Sequence, residues 1–249
     1  MLNLKSLSCW VCRGLSLILF ISLFGEVGNG VAQNLREVYD GRAETNRNST
    51  ASSSEVQLVR RFALPKARRF WRKSGACDES FEVIGAASGS FTKPDTEQRA
   101  VLYRFCVTGH NFANNGIAII EGESMVAHIV YDGGEDYSIG ALPDINGNGL
   151  SEIILGDGST NQGYTTSVAV LIEATPRVVK KWGIADVYED NCGTMDECQM
   201  TAYKISVRPG PTPIFYREAY KKRNDRWTKA GNAARYSLRK TVGSYRYLN

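Results

Sequence analysis

From Glu55 onward the chain runs in short apolar stretches broken by Gly, Asn, Asp and Pro, and rich in β-branched and aromatic residues. Runs of this length bounded by turn formers predict successive strands. The predicted strands are 81–86, 100–107, 116–121, 125–131, 153–155, 167–174, 177–182, 202–207, 214–220 and 226–229. No long helical stripe competes with them. Links as short as Gly122-Glu123-Ser124 and Thr175-Pro176 favour antiparallel meanders over βαβ units.

A weak internal repeat lies within this pattern. Ile84-Gly85-Ala86 returns as Ile139-Gly140-Ala141, each followed by a polar loop and then an apolar strand. The spacing, about 55 residues, is that of one propeller blade or one sheet of a β-array. The fold class is therefore all-β, with antiparallel propeller-like blades in a partial or small propeller; a β-sandwich with one calcium loop is the alternative.

The N-terminal residues read differently. Lys5 and Arg13 precede the apolar run 14–24, which leads to a Gly-rich stretch ending Gly30-Val31-Ala32, the n-, h- and c-regions of a signal peptide over residues 1–32. The apolar run is about 11 residues, short of the ~20 that a helix needs to span a bilayer, so cleavage after Ala32 is expected and a retained anchor is the alternative. No second membrane segment follows. Residues 33–54 are polar and poor in apolar side chains, which predicts a disordered linker to a β-rich domain over 55–249. Export places the chain in a secreted, periplasmic or cell-surface setting. A net charge of +4 makes no demand for a nucleic-acid partner.

Cys9 and Cys12 fall within the signal, leaving Cys77, Cys106, Cys192 and Cys198. An even number in an exported chain favours disulfides, and the local pairing of Cys77 with Cys106 and Cys192 with Cys198 is preferred among three arrangements. The spacing is not that of a zinc site, and the histidines, His110 and His128, are isolated in the sequence.

The segment 142–156 carries the most chemistry. Asp144, Asn146, Asn148 and Glu152 supply side-chain oxygens at relative positions 1, 3, 5 and 9, Gly149 sits at position 6 where the chain must turn, and Leu150 offers its carbonyl at position 7. Alternating oxygens of this kind converge on a hard cation such as Ca2+. Position 12 is Leu155 rather than the bidentate Glu of an EF-hand, and a strand follows at once. A plain Asn/Gly turn is the other reading of the same residues.

In these residues the segment resembles an FG-GAP or integrin-alpha-type repeat, also VCBS-like, whose D-x-D-x-D-G-x-x-D loop leads into an apolar blade strand ending in Gly. Asp144, Asn146, Asn148, Gly149 and Glu152 stand at its defining places and Ile153-Ile154-Leu155-Gly156 at the strand. Asn replaces Asp at the third and fifth places and Glu replaces Asp at the ninth, so two formal charges imply a weak site, about 10⁻⁴ to 10⁻³ M. The copy at 92–97 has lost the ligands. The domain is also too short for the seven blades of an integrin-type propeller. The resemblance implies a calcium-binding role in adhesion or ligand binding.

Two further segments bear on partners. Residues 60–73 interleave seven cations (Arg60, Arg61, Lys66, Arg68, Arg69, Arg72 and Lys73) with Phe62, Phe70 and Trp71, fitting either a glycan, anionic polymer or surface-protein contact, or a solvated strand whose charges blunt edge pairing. Asp186, Glu189, Asp190, Asp196 and Glu197 surround the second cysteine pair, as a second cation site or a solvated acidic loop. No nucleophile elbow, zinc-protease helix or phosphate-binding glycine loop is present, so no catalytic residue is assigned; a secreted hydrolase with a structural calcium ion is the alternative function.

Overall fold

The computed structural model describes residues 34–43, 49–74, 77, 79–175, 178–194, 197–240 and 244–248. The signal-peptide residues lie outside this set. The chain opens with β1 (Arg36–Asp40), followed by α1 (Ser53–Leu58), a π-helical turn (Val59–Ala63) and α2 (Leu64–Ser74). Four strands then pair in chain order: β2 (Glu82–Gly89), β3 (Gln98–Gly109), β4 (Phe112–Glu121) and β5 (Ser124–Gly133). A second antiparallel series comprises β6 (Ser138–Leu142), β7 (Glu152–Asn161), β8 (Tyr164–Ala174), β9 (Val179–Asp190), β10 (Met200–Arg208), β11 (Ile214–Arg223) and β12 (Arg226–Lys229). β13 (Ala234–Tyr236) adds to β11, β14 (Arg246–Tyr247) to β5, and β1 to β10. The expectation of mostly antiparallel β-structure is met, and every predicted strand overlaps an observed one, with Arg177 outside the described residues.

Side-chain alternation explains the packing. Along β3, Ala100 and Leu102 face one way while Val101, Tyr103 and Phe105 face the other. The first set meets Ile139, Ile153, Leu155, Val170 and Ile172 of the larger sheet, forming the core between the sheets. The second set is covered by the helical segment through Val59, Ala63, Ala67 and Trp71. Sheet burial on both faces is why these strands read as continuous apolar runs. The larger sheet curls into a half-barrel. Its inner side is filled by Val38, Leu142, Ile145, Ile154, Leu171, Val187, Ile205 and Val207.

Two expectations are corrected. Residues 60–73 form helix, not an edge strand: Val59, Ala63, Ala67 and Trp71 recur every fourth residue, and the intervening Arg, Lys and Ala are strong helix formers. The π-turn precedes Pro65, whose ring would crowd the Arg61 carbonyl in a regular helix. Ser52 starts this helical segment with a capping box: its Oγ accepts from the Glu55 N–H at 3.2 Å, and Glu55 accepts from the Ser52 N–H at 2.7 Å. The second correction concerns part of the expected linker. Arg36–Asp40 forms a strand because Val38 and Tyr39, with a register shift between Glu37 and Tyr39, both reach buried positions beside β10.

Both disulfides pair as expected, Cys77 with Cys106 and Cys192 with Cys198, with Cα–Cα separations of 6.2 and 4.1 Å. Among the described residues no helix is long and apolar enough to cross a membrane.

Candidate functional site

The loop between β6 and β7 contains Asp144, Asn146, Asn148 and Leu150, and Glu152 begins β7. It is held from several sides. Arg36 of β1 donates to the carbonyls of Pro143 and Asp144 at 3.3 and 2.7 Å. Gly210, in the β10–β11 turn, donates its N–H to the Ile145 carbonyl at 2.9 Å, and Ile145 is fully buried. Ser151 exchanges hydrogen bonds with Ser90: its N–H donates at 2.8 Å, and its Oγ accepts from the Ser90 N–H at 3.1 Å. Ser90 belongs to the loop after β2, so the loops following the two repeat copies meet.

Within the loop, short polar side chains organise the backbone. Asp144 Oδ1 accepts from the N–H groups of Asn146 and Gly147 at 2.9 and 2.7 Å, and Oδ2 from Gly149 at 2.7 Å. Asn146 Oδ1 accepts from Asn148 at 3.1 Å and Asn148 Oδ1 from Leu150 at 2.9 Å. Gly147 and Gly149 take φ of +84° and +82°, the left-handed region that glycine enters without a Cβ penalty. Burial of Asp144 opposes ionisation, but the backbone donors outweigh it and hold the carboxyl below its ordinary value.

The structure adds a residue that the sequence pattern did not single out. Glu173, one residue before the end of β8, is the direct cross-strand partner of Glu152. Alternation puts Glu152 with Ile154, and Glu173 with Leu171, on the half-barrel side of the sheet. Both carboxylates are buried, at 0 and 1 % exposure. Asn146 Nδ2 donates to Glu173 Oε2 and, at 3.4 Å, to Glu152 Oε1; Asn148 Nδ2 donates to Glu173 Oε1 at 2.9 Å. Lys180 lies 4.0 Å from Glu173 Oε2. Glu152 Oε2, by contrast, is buried without a hydrogen-bond partner. Burial, reinforced by the Glu173 and Asp144 charges, pushes Glu152 up to about 8. The signal for Glu173 was present: it is the single charge in the 167–174 strand, where a buried position is costly for an unpaired carboxylate.

Among the described residues, no group of three or more His, Cys, Asp or Glu side chains is placed to hold a metal ion. The loop's remaining oxygens belong to Asn side chains and the backbone. The acidic residues near the second disulfide disperse: Asp186 pairs with Arg239, Asp190 accepts from Cys192 N–H and the Tyr188 hydroxyl, and Asp196 lies outside the described residues. His128 is buried with Nε2 2.7 Å from the Tyr103 hydroxyl, whereas His110 is exposed in a turn.

On the opposite side of the smaller sheet, the helical segment presents its cations outward. Arg60, Arg61, Lys66, Arg69, Arg72 and Lys73 are exposed, and Arg68 pairs with Glu79 at 2.6 Å. Arg60 lies over the Phe81 ring and Arg61 over Phe62. No family model, curated protein or solved structure matches this chain.

Proposed function

We propose that this chain is an exported, calcium-binding β-domain with a binding or adhesion role at or outside the cell surface. The observation that carries the calcium reading is the buried Glu152 carboxyl, whose Oε1 meets Asn146 of the loop and whose Oε2 has no hydrogen-bond partner, since a cation there would favour the charged form of a group that burial alone keeps largely neutral at pH 7. Hard oxygen donors from Asp, Asn, Glu and a backbone carbonyl suit calcium better than zinc or copper. Asp144, Asn146, Asn148, the Leu150 carbonyl and Glu152 would hold the ion, which would fix the loop against the sheet.

The FG-GAP reading has support of the same kind. The two repeat triplets fall in β2 and β6, the first strands of successive antiparallel series, and the loops that follow are hydrogen-bonded to one another. The four-stranded first series, β2 to β5, would then correspond to a propeller-like blade, and the longer second series would contain another. Two disulfides suit an oxidising compartment.

The binding surface is the cationic face of the helical segment. Its apolar stripe is already packed on the smaller sheet, so contact there would be electrostatic, and a linear acidic polysaccharide supplies matching anions in an extracellular setting.

Calorimetric titration of chelator-stripped mature protein with calcium chloride tests the first part. Saturable binding to one site, lost in Asp144→Ala, is expected. Absence of saturable heat up to about 10 mM calcium would overturn the reading.

A further inference from the structure

The cations of the helical segment are not all alike. Arg60 lies over the Phe81 ring, 4.6 Å from its centroid, and Arg61 over Phe62 at 4.9 Å. Arg246 of β14 joins the segment through Phe70 of α2, whose ring centroid is 5.8 Å from its guanidinium carbon. All three arginines are exposed, and Phe62 is itself exposed beside Arg61. We propose that these ring-backed arginines form a recognition site for sulfate monoesters, so that the anionic polysaccharide bound by this face is a sulfated one. This inference rests on the polyanion reading above and names the anionic group within it.

A guanidinium is planar, and its N–H groups point outward in that plane. A ring against one face displaces water and restrains the long side chain, yet leaves the N–H edge open to an oxyanion. At an exposed site, contact pairing is decided by how much water each partner must lose. Arg is already the more weakly hydrated cation, and the ring lowers its hydration further. A sulfate monoester spreads one charge over three oxygens and holds water loosely, whereas a carboxylate concentrates the same charge on two and holds water tightly. A ring-backed guanidinium therefore favours sulfate at equal charge. A lysine ammonium, compact and strongly hydrated, lacks that bias. Two carboxylates reach these cations, and each is engaged elsewhere. Glu79, whose charge is felt by Arg60 and Arg72, pairs with Arg68 at 2.6 Å. Asp132, near Arg246, accepts from the Ser244 N–H at 3.0 Å and from its hydroxyl at 3.3 Å. Among the described residues no ion pair occupies Arg60, Arg61 or Arg246.

Dextran sulfate and carboxymethyl dextran, matched in chain length and in charges per sugar, separate the kind of anion from charge density. Binding of each fluorescently labelled polymer is measured by polarisation at fixed ionic strength, with folding checked by circular dichroism. The wild type is compared with the charge-conserving triple variant Arg60→Lys, Arg61→Lys, Arg246→Lys. The control is Arg69→Lys with Arg72→Lys, two exposed arginines with no ring beneath them among the described residues. The wild type should bind the sulfated polymer about five- to tenfold more tightly than the carboxylated one, the triple variant should lose most of this preference at unchanged net charge, and the control should keep it. Phe62→Leu, which removes an exposed ring and no charge, should lower the preference by itself. Equal affinity of the wild type for the two polymers, or a preference preserved in the triple variant or in Phe62→Leu, would overturn sulfate recognition by these residues. Failure of the wild type to bind either polymer would overturn the polyanion reading itself, a result distinct from the first.

Discussion

Arg36 donates from Nη1 to the backbone carbonyl of Asp144 at 2.7 Å, joining β1 to the loop across more than a hundred residues of sequence. The contact makes the N-terminal strand part of the site's support. Val38 supplies the burial that keeps this strand in place, at 3 % exposure against the half-barrel interior. Val38→Ala should cost about 2 kcal/mol by lost burial and a residual cavity. Arg36→Ala should cost about 1 kcal/mol, since its hydrogen bonds are at an exposed position. Denaturant melts with and without calcium check both, and Arg36→Ala should additionally weaken calcium binding while Val38→Ala changes mainly the midpoint.

Gly147 and Gly149 offer a paired test of loop geometry. Both have positive φ, but an added Cβ at Gly147 meets open space, whereas at Gly149 it would sit 2.9 Å from the Pro94 Cβ. Gly147→Ala should lose about 1 kcal/mol by backbone strain alone. Gly149→Ala should lose about 2 to 3 kcal/mol, because Pro94 or the loop must move as well. Urea denaturation measures each, and equal losses would show that the contact with the ligand-free repeat loop is unimportant.

His128 sets a pH dependence remote from the loop. Burial, with a smaller contribution from the Lys66 charge, lowers it to about 4, and its polar neighbour is Tyr103. The unfolded chain takes up the proton near 6.5, so the fold gains its full contribution from neutral His128 above that pH. Stability falls as pH drops from 6.5 towards 4, by on the order of 3 kcal/mol, and levels off below it. Subtracting the pH–stability curve of His128→Gln from that of the wild type isolates this group. A flat difference between pH 4 and 6.5 would contradict the assignment.

The strands were legible in the sequence because each combines a β-rich apolar run with a nearby turn signal. The helical segment is hard to read from the sequence: two of its buried positions, Ala63 and Ala67, are alanine, and the dense Arg and Lys around Val59, Leu64 and Trp71 obscure the stripe. Its capping box, Ser52 with Glu55, was the local signal that could have found it. β1 escaped because its buried pair, Val38 and Tyr39, depends on a long-range pairing with β10 that composition does not reveal. In the loop, the spacing of oxygen-bearing side chains was visible along the chain, but the proximity of Glu173 was not, because its relation to Glu152 exists only once β7 and β8 are in register. Sequence spacing reports side chains along one segment, and sheet register decides which carboxylates lie beside them.

The exposed helical cations should make polyanion binding sensitive to salt. On a heparin column at low ionic strength the protein should be retained, and Arg69→Glu combined with Arg72→Glu should lower the salt needed for elution. Cosedimentation with phosphatidylserine vesicles and binding to duplex DNA provide the comparison. Retention unaffected by the double charge reversal would remove the helix as the binding face, and stronger binding to vesicles or DNA than to the polysaccharide would contradict the proposed class of partner.

A thermal melt of the mature protein shows whether calcium stabilises the fold. In millimolar calcium the unfolding midpoint should rise above that in chelator, increase further with calcium concentration as binding to the folded state requires, and lose this response in Asp144→Ala. Identical midpoints with and without calcium in the wild type would rule out a calcium site in the fold and reduce the 144–152 segment to a hydrogen-bonded turn.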